Sequence, residues 1–133
     1  MKRNIVLIYS ILLVSTILIS MSSSYIQEDP WPVPTKYKKM VNPDVKDQDT
    51  EQIGKKLYTM QCKSCHGIKG LGDGKKAQML ETSVGDFTSD EFKAQTDGEL
   101  YYKTYIGRDE MPGFKNKISD EDKWLLINYI RSL

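Results

Sequence analysis

Three side chains stand at a spacing that chemistry uses: Cys62, Cys65 and His66, in the run Cys62-Lys63-Ser64-Cys65-His66. Such a C-x-x-C-H run sets two thiols one helical turn apart with an imidazole directly behind the second. Four uses of the thiols compete. A redox dithiol of this spacing follows a β-strand, and nothing upstream of Cys62 reads as one. A zinc site takes about four ligands, whereas the two cysteines and His66, the one histidine of the chain, supply at most three. A disulfide closed over two residues is strained. Covalent attachment of haem c is the use that fits. Each thiol adds across one haem vinyl group to give a thioether, and the two intervening residues match the separation of the vinyls. His66 is then aimed at the iron from the proximal side.

The other axial position has no second histidine to fill it. Methionine is the leading alternative. Met1 and Met21 belong to the N-terminal apolar run, and Met40 lies among prolines. Met60 shares a helix with Cys62 and reads as core, and Met79 reads as a filler of core gaps. Met111 sits in a loop between two helices, with Pro112 stiffening the backbone, and such a loop can cross to the distal face. The expected iron ligands are His66 and Met111, with an open or weakly ligated iron as the alternative. In that case the site could bind a diatomic gas or peroxide, although no distal histidine is present for acid–base work.

These residues need elements to hold them. A helix starting near Asp49, with Asp49 and Gln52 spaced as a capping box, runs into Cys62. Ile53, Leu57 and Met60 recur on one helical face. Gly67, Gly70, Gly72 and Gly74 make the following stretch a loop. Gly72-Asp73-Gly74-Lys75 lacks the spacing and the preceding strand of a phosphate loop and reads as a haem-adjacent turn. Lys75 to Leu80 can form a short helix, and Gly85 to Asp90 reads as a turn. Thr96 and Glu99 form a second capping box, opening a helix whose inner side is Leu100, Tyr101, Thr104 and Tyr105, and Gly107 ends it. Ser119 caps a last helix with Asp120, Glu121 and Asp122 at its positive end and a stripe of Leu126, Tyr129, Ile130 and Leu133. No strand signal is present. The expected fold class is all-α: a few short helices and long loops wrapped around one haem. So small a helical domain buries little apolar surface alone, and a large apolar cofactor would supply the missing core.

Residues 49–133 resemble the class I c-type cytochromes, in particular bacterial, monohaem, His/Met-ligated members. Gly54 and Tyr58 match the N-terminal helix of that family, and Leu126 and Tyr129 its C-terminal helix. His66-Gly67, Gly72-Asp73-Gly74 and Met111-Pro112 match its loops. The resemblance implies that the two helices cross at Gly54, against Tyr129. It also implies a small cytochrome c fold. One departure stands out. Many members carry a proline after the attachment run whose carbonyl accepts the second N–H of the proximal histidine. No proline lies between His66 and Pro112 here, so a carbonyl of the Gly70–Leu80 loop is the expected substitute.

The chain begins differently. Lys2 and Arg3 precede an uncharged run from Ile5 to Met21, followed by Ser22, Ser23 and Ser24. This is the pattern of a signal peptide. The run is also at the short end of the ~17–25 residues that span a bilayer, so an N-terminal membrane anchor is the alternative. Either places the remainder outside the cytoplasm: exported, periplasmic, and in the second case tethered to the outer face of the inner membrane. Residues 1–22 are thus a leader or anchor, 23–48 a proline-rich arm or linker, and 49–133 the cytochrome domain. The arm holds every proline but Pro112 and should be extended around Pro30-Trp31-Pro32. It serves as a spacer, or packs through Trp31 over the domain.

The 133 residues allow one domain, and a formal net charge of +1 gives no bulk attraction to nucleic acid or anionic lipid. Lys55, Lys56, Lys63, Lys69, Lys75 and Lys76, with Lys115 and Lys117, read either as ordinary solvated surface or as a basic ring steering an acidic partner. The expected function is single-electron transfer, with iron cycling between Fe(II) and Fe(III). The chain is then an electron carrier, or a haem subunit of a larger redox complex, and not itself an enzyme. Its expected partners are redox proteins: respiratory complexes, dehydrogenases, oxidases or reductases.

Overall fold

The computed structural model describes residues 31–43 and 48–133. The leader or anchor of residues 1–22 and the start of the arm, including Pro30, lie outside them. Trp31 belongs to the unit Met1–Trp31, and the architecture below is that of the unit Pro32–Leu133. The described residues form six α-helices and one 3-10 turn, with no strand beyond an isolated bridge between Arg108 and Met111. This is the all-α class expected. In chain order the elements are α1 (Thr35–Lys38), α2 (Gln48–Gln61), α3 (Lys63–His66), the 3-10 turn (Ala77–Met79), α4 (Asp90–Lys93), α5 (Asp97–Ile106) and α6 (Asp120–Arg131). No helix among the described residues is long and apolar enough to cross a membrane.

Local chemistry accounts for most of the helix ends. Thr96 accepts from the Glu99 N–H while the Glu99 carboxylate accepts from the Thr96 N–H, so the capping box of α5 is closed in both directions. Gly107 ends that helix at φ 72°, a region other residues avoid. Ser119 caps α6 by accepting from the Asp122 N–H. The start of α2 differs from expectation. The helix already includes Gln48, so Asp49 lies in its first turn, where a carboxylate favours the positive helix end, and is not the cap. The turn expected over Gly85–Asp90 is present, with the Asp86 carboxylate accepting from the Thr88 N–H at 2.7 Å, and it leads into α4, which Ser89 caps through the Phe92 N–H.

Helices α2 and α6 cross at Gly54. A Cβ there would fall on the Leu125 carbonyl oxygen and lie 3.0 Å from Tyr129 Cβ. Gly54 and Tyr129 therefore meet as the resemblance implies, and overpacking this contact would cost about 1–3 kcal/mol. One core cluster comprises Tyr58, Phe114, Ile118, Leu126 and Ile130, with Tyr129 and Leu133 packed against it. A second joins Leu100, Tyr101 and Ile127, with Tyr37, Met40, Tyr105 and Trp124 around it. Trp124 stacks on Tyr101 at 4.5 Å and serves as packing between α5 and α6.

The buried face of α2 is not the one its apolar spacing suggests. Tyr58 is 1% exposed, whereas Ile53 is 41% and Met60 66% exposed. The close approach at Gly54 turns the helix about one residue, roughly 100°, toward Gly54 and Tyr58. Met60 is therefore not core. Met79, expected to fill a core gap, is 78% exposed on the 3-10 turn.

From Pro32 the chain lies along α5 and α6. Pro34 precedes α1, the Tyr37 ring lies 4.6 Å from that of Tyr102 and is tilted 46° to it, and the Tyr37 carbonyl occupies the space a side chain on Gly98 would need. Asn42 donates to Asp97 at 2.9 Å and to Asn128 at 2.7 Å.

Candidate functional site: a haem-attachment segment and a methionine loop

The attachment run continues α2 with a change of direction. The Cys62 N–H still donates to the Tyr58 carbonyl at 2.9 Å, but Cys62 sits at φ −114°, at the junction with α3. The N–H groups of Cys65 and His66 both turn back to the Cys62 carbonyl, at 3.1 and 2.9 Å. This one turn brings Cys62, Cys65 and His66 together, and both cysteines are free and half-buried. Gly67 then takes φ 84°, a left-handed value that reverses the chain. The loop beyond folds back on α3. Lys76, Gly74 and Gly72 donate to the Ser64, Cys65 and His66 carbonyls at 2.8, 3.0 and 3.0 Å, satisfying the groups a short helix leaves open. The Gly72–Lys75 stretch is thus a turn against the attachment segment, as expected.

Side chains pack around the same turn. The Tyr58 hydroxyl donates to the Gly67 carbonyl at 2.7 Å. Burial, then the neighbouring Cys62, push its ionisation well above that of an ordinary phenol, so it remains a neutral donor. Burial, then Cys65 alongside, push the Cys62 thiol up to about 12 and keep it protonated. Burial brings the His66 imidazole down to about 4, so at neutral pH it is in the uncharged form that offers a lone pair to a metal. Its Nδ1 is buried without a hydrogen-bond partner. The carbonyl expected from the Gly70–Leu80 loop is therefore not there. The Phe87 ring stacks on the imidazole instead, at 4.4 Å and 27°.

Met111 lies on a separate loop. Arg108 and Met111 exchange backbone hydrogen bonds of 3.0 and 2.9 Å, closing a tight turn in which Asp109 takes φ 51°. Behind it, Phe114 and Lys115 donate to the Thr104 and Tyr105 carbonyls of α5, at 3.0 and 3.1 Å. Glu110 then fastens the loop to a distant segment, and Lys123 holds the start of the helix that follows it. One Glu110 oxygen accepts from the Glu81 N–H, the Thr82 N–H and the Thr82 hydroxyl, at 2.8, 3.0 and 3.1 Å. Lys123, fully buried, donates to the Ile118 carbonyl at 2.7 Å and to Asp120 at 3.0 Å. Its ammonium lies 5.4 Å from the Tyr105 ring and 5.7 Å from the Tyr101 ring, which lowers the cost of burying a charge.

The Cytochrome c family model matches residues 51–133, from the first turn of α2 through α6. The chain belongs to the cytochrome c family. No curated protein matches it. Among solved structures it is similar to a chain titled "Kuenenia stuttgartiensis reducing HAO-like protein complex Kustc0457/Kustc0458". The identity is 28% and the TM-score 0.60, over 87% of this chain and 56% of that one, so this chain spans little more than half its length. It is also similar to the KustC0563 c-type cytochrome, at 30% identity and a TM-score of 0.53, over 59% of this chain and 94% of that one.

A cytochrome c carries covalent haem c, and the residues of this one fit that group. Two free thiols stand one helical turn apart beside a neutral imidazole. Cys62 and Cys65 would hold the haem by thioethers, and His66 would take the iron. When bound, haem supplies an iron that gains and loses one electron reversibly. The work left to the cytochrome chain is to keep the ligands in place and to exclude water from them.

Sequence reasoning passed over Phe87, Glu110 and Lys123. Phe87 and Glu110 carry no local signal, because their partners are far along the chain. Lys123 had one: Lys123, Leu126, Ile127 and Ile130 share the buried face of α6, so a lysine stands at the head of an apolar stripe.

Proposed function

We propose that this cytochrome is an electron-transfer protein with one haem c, attached through Cys62 and Cys65 and ligated by His66 and Met111. It passes single electrons between redox proteins by an Fe(II)/Fe(III) couple. The observation that carries this reading is the single turn holding both free thiols and the neutral His66. Filled axial positions leave little to rearrange on redox change and no place for a substrate. The exposed lysines of the attachment segment, Lys55, Lys56, Lys63, Lys69, Lys75 and Lys76, support electrostatic steering of an acidic partner. The leader pattern supports a site of action outside the cytoplasm, in the periplasm or tethered to the membrane face.

The test is the visible spectrum of the reduced protein with and without carbon monoxide. A c-type spectrum that persists after denaturation and is unmoved by the gas is the expected result. A prompt shift with the gas means an open sixth position and a gas-binding role, and haem lost on denaturation overturns covalent attachment.

A second reading, that the chain is a haem subunit of a larger redox complex, has its own support. The similarity to the chain of the HAO-like protein complex covers 87% of this chain, more than the family region 51–133, so it extends into the arm. The similarity to the KustC0563 c-type cytochrome covers 59%. Co-purification of a stoichiometric partner under mild conditions, lost when residues 32–43 are replaced by a Gly/Ser linker, selects this reading over a free carrier.

A further inference from the structure

A metal-ligating histidine almost always gives its second N–H to a carboxylate, a carbonyl or water, which fixes the ring and raises its basicity. In this chain His66 Nδ1 is buried and has no partner among the described residues. Burial excludes water from the atom as well. Something else must hold the ring, and the contact present is aromatic. Phe87 stacks on the imidazole at 4.4 Å.

This contact is a built one. The Phe87 N–H donates to the Gly70 carbonyl at 2.7 Å, and a Cβ on Gly70 would come within 2.9 Å of the Phe87 ring. Phe92 stacks on Phe87 in turn, at 4.5 Å and 28°. The Arg131 guanidinium lies 5.7 Å from the Phe92 ring and is held by Asp97 at 2.9 Å and by the Gln95 carbonyl. The column His66–Phe87–Phe92–Arg131 therefore runs from the candidate proximal ligand to the end of α6. Each member is fixed by a neighbour.

We infer that Phe87 is a positioning residue for His66: it sets the plane of the imidazole by stacking and so keeps Nδ1–H in its buried, unbonded position, in place of a hydrogen-bond acceptor. The inference rests on His66 being an iron ligand. Its electronic consequence has a sign. An Nδ1–H bonded to an acceptor makes the imidazole a stronger donor and favours ferric iron. An unbonded Nδ1–H makes a weaker donor, favours ferrous iron and raises the reduction potential.

The test uses the haem-loaded protein and compares Phe87→Leu with Phe87→Tyr. The readouts are the potential, the haem-methyl shift pattern in the proton NMR of the ferric state, which reports the imidazole plane, and the exchange rate of the Nδ1 proton. Phe87→Leu should lower the potential, change the methyl pattern and speed exchange. Phe87→Tyr, which keeps the ring, should leave all three near the parent. If Phe87→Leu does not load haem, Phe92→Leu removes the support one layer back and should shift the same readouts in the same direction by less. A lower melting temperature with unchanged potential and methyl pattern would mean packing alone and would overturn the inference. A parent spectrum without signals from an iron-bound imidazole would overturn the proposed ligation, and the inference with it.

Discussion

Around His66 the fastening bonds are made by backbone atoms close in sequence. The carbonyls of Ser64, Cys65 and His66 are taken by Lys76, Gly74 and Gly72, and a left-handed Gly67 makes that return possible. Around Met111 the turn from Arg108 and the bonds of Phe114 and Lys115 to α5 are backbone bonds too, but the tip of the loop also leans on a remote side-chain contact, Glu110 on Glu81 and Thr82. A segment closed by its own backbone is insensitive to most side-chain changes. A loop whose tip leans on a remote, exposed polar contact loosens when that contact is removed. The methionine side should therefore be the looser of the two.

The largest test of that contrast is Met111→Ala. It should leave haem covalently attached on a denaturing gel while the reduced protein gains prompt carbon monoxide binding. Loss of attachment together with ligation would show that the two segments do not behave independently. Next comes Lys123→Ala, which strands the Ile118 carbonyl and opens a cavity between Tyr101 and Tyr105. It should cost roughly 2–4 kcal/mol by urea unfolding, with amides of residues 107–118 losing exchange protection before those of residues 62–76. Equal loss in both would remove the contrast. Glu110→Ala should change the melting temperature little, because the carboxylate is exposed, yet speed displacement of the methionine by added imidazole. An unchanged displacement rate would mean that this contact does not hold the loop.

The smallest effect is one of pH. The Tyr101 hydroxyl, then Lys123, hold the Asp120 carboxyl below its ordinary value of 3.8. A depressed folded value means that its stabilisation is present above pH 3.8 and is lost as pH falls through the folded value. Asp120→Asn should flatten that part of the acid-unfolding profile, and a profile parallel to the parent's would assign the acid sensitivity to other groups.

Much of this was legible in the amino-acid order. Capping boxes close within three residues, and a glycine at a helix end needs only its own φ, so Thr96, Gly107 and Ser119 could be read directly. The spacing of Cys62, Cys65 and His66 is a property of one turn and needs no tertiary contact. Gly54 opposite Tyr129 was reachable through family resemblance, since nothing local says what a helix glycine faces.

The rotation of α2 was not legible: Ile53, Leu57 and Met60 make a plausible buried face until Leu125 is known to press on Gly54. The missing carbonyl at His66 and the phenylalanine that replaces it were also out of reach, because Phe87 arrives from a loop with no signature. By itself the sequence determined the caps at Thr96, Gly107 and Ser119 and the spacing of Cys62, Cys65 and His66 on one turn, because those properties close over a few adjacent residues. Only the tertiary structure decided which side chains pack on His66 and fasten the Met111 loop, because such contacts exist only once distant segments dock and exclude water between them.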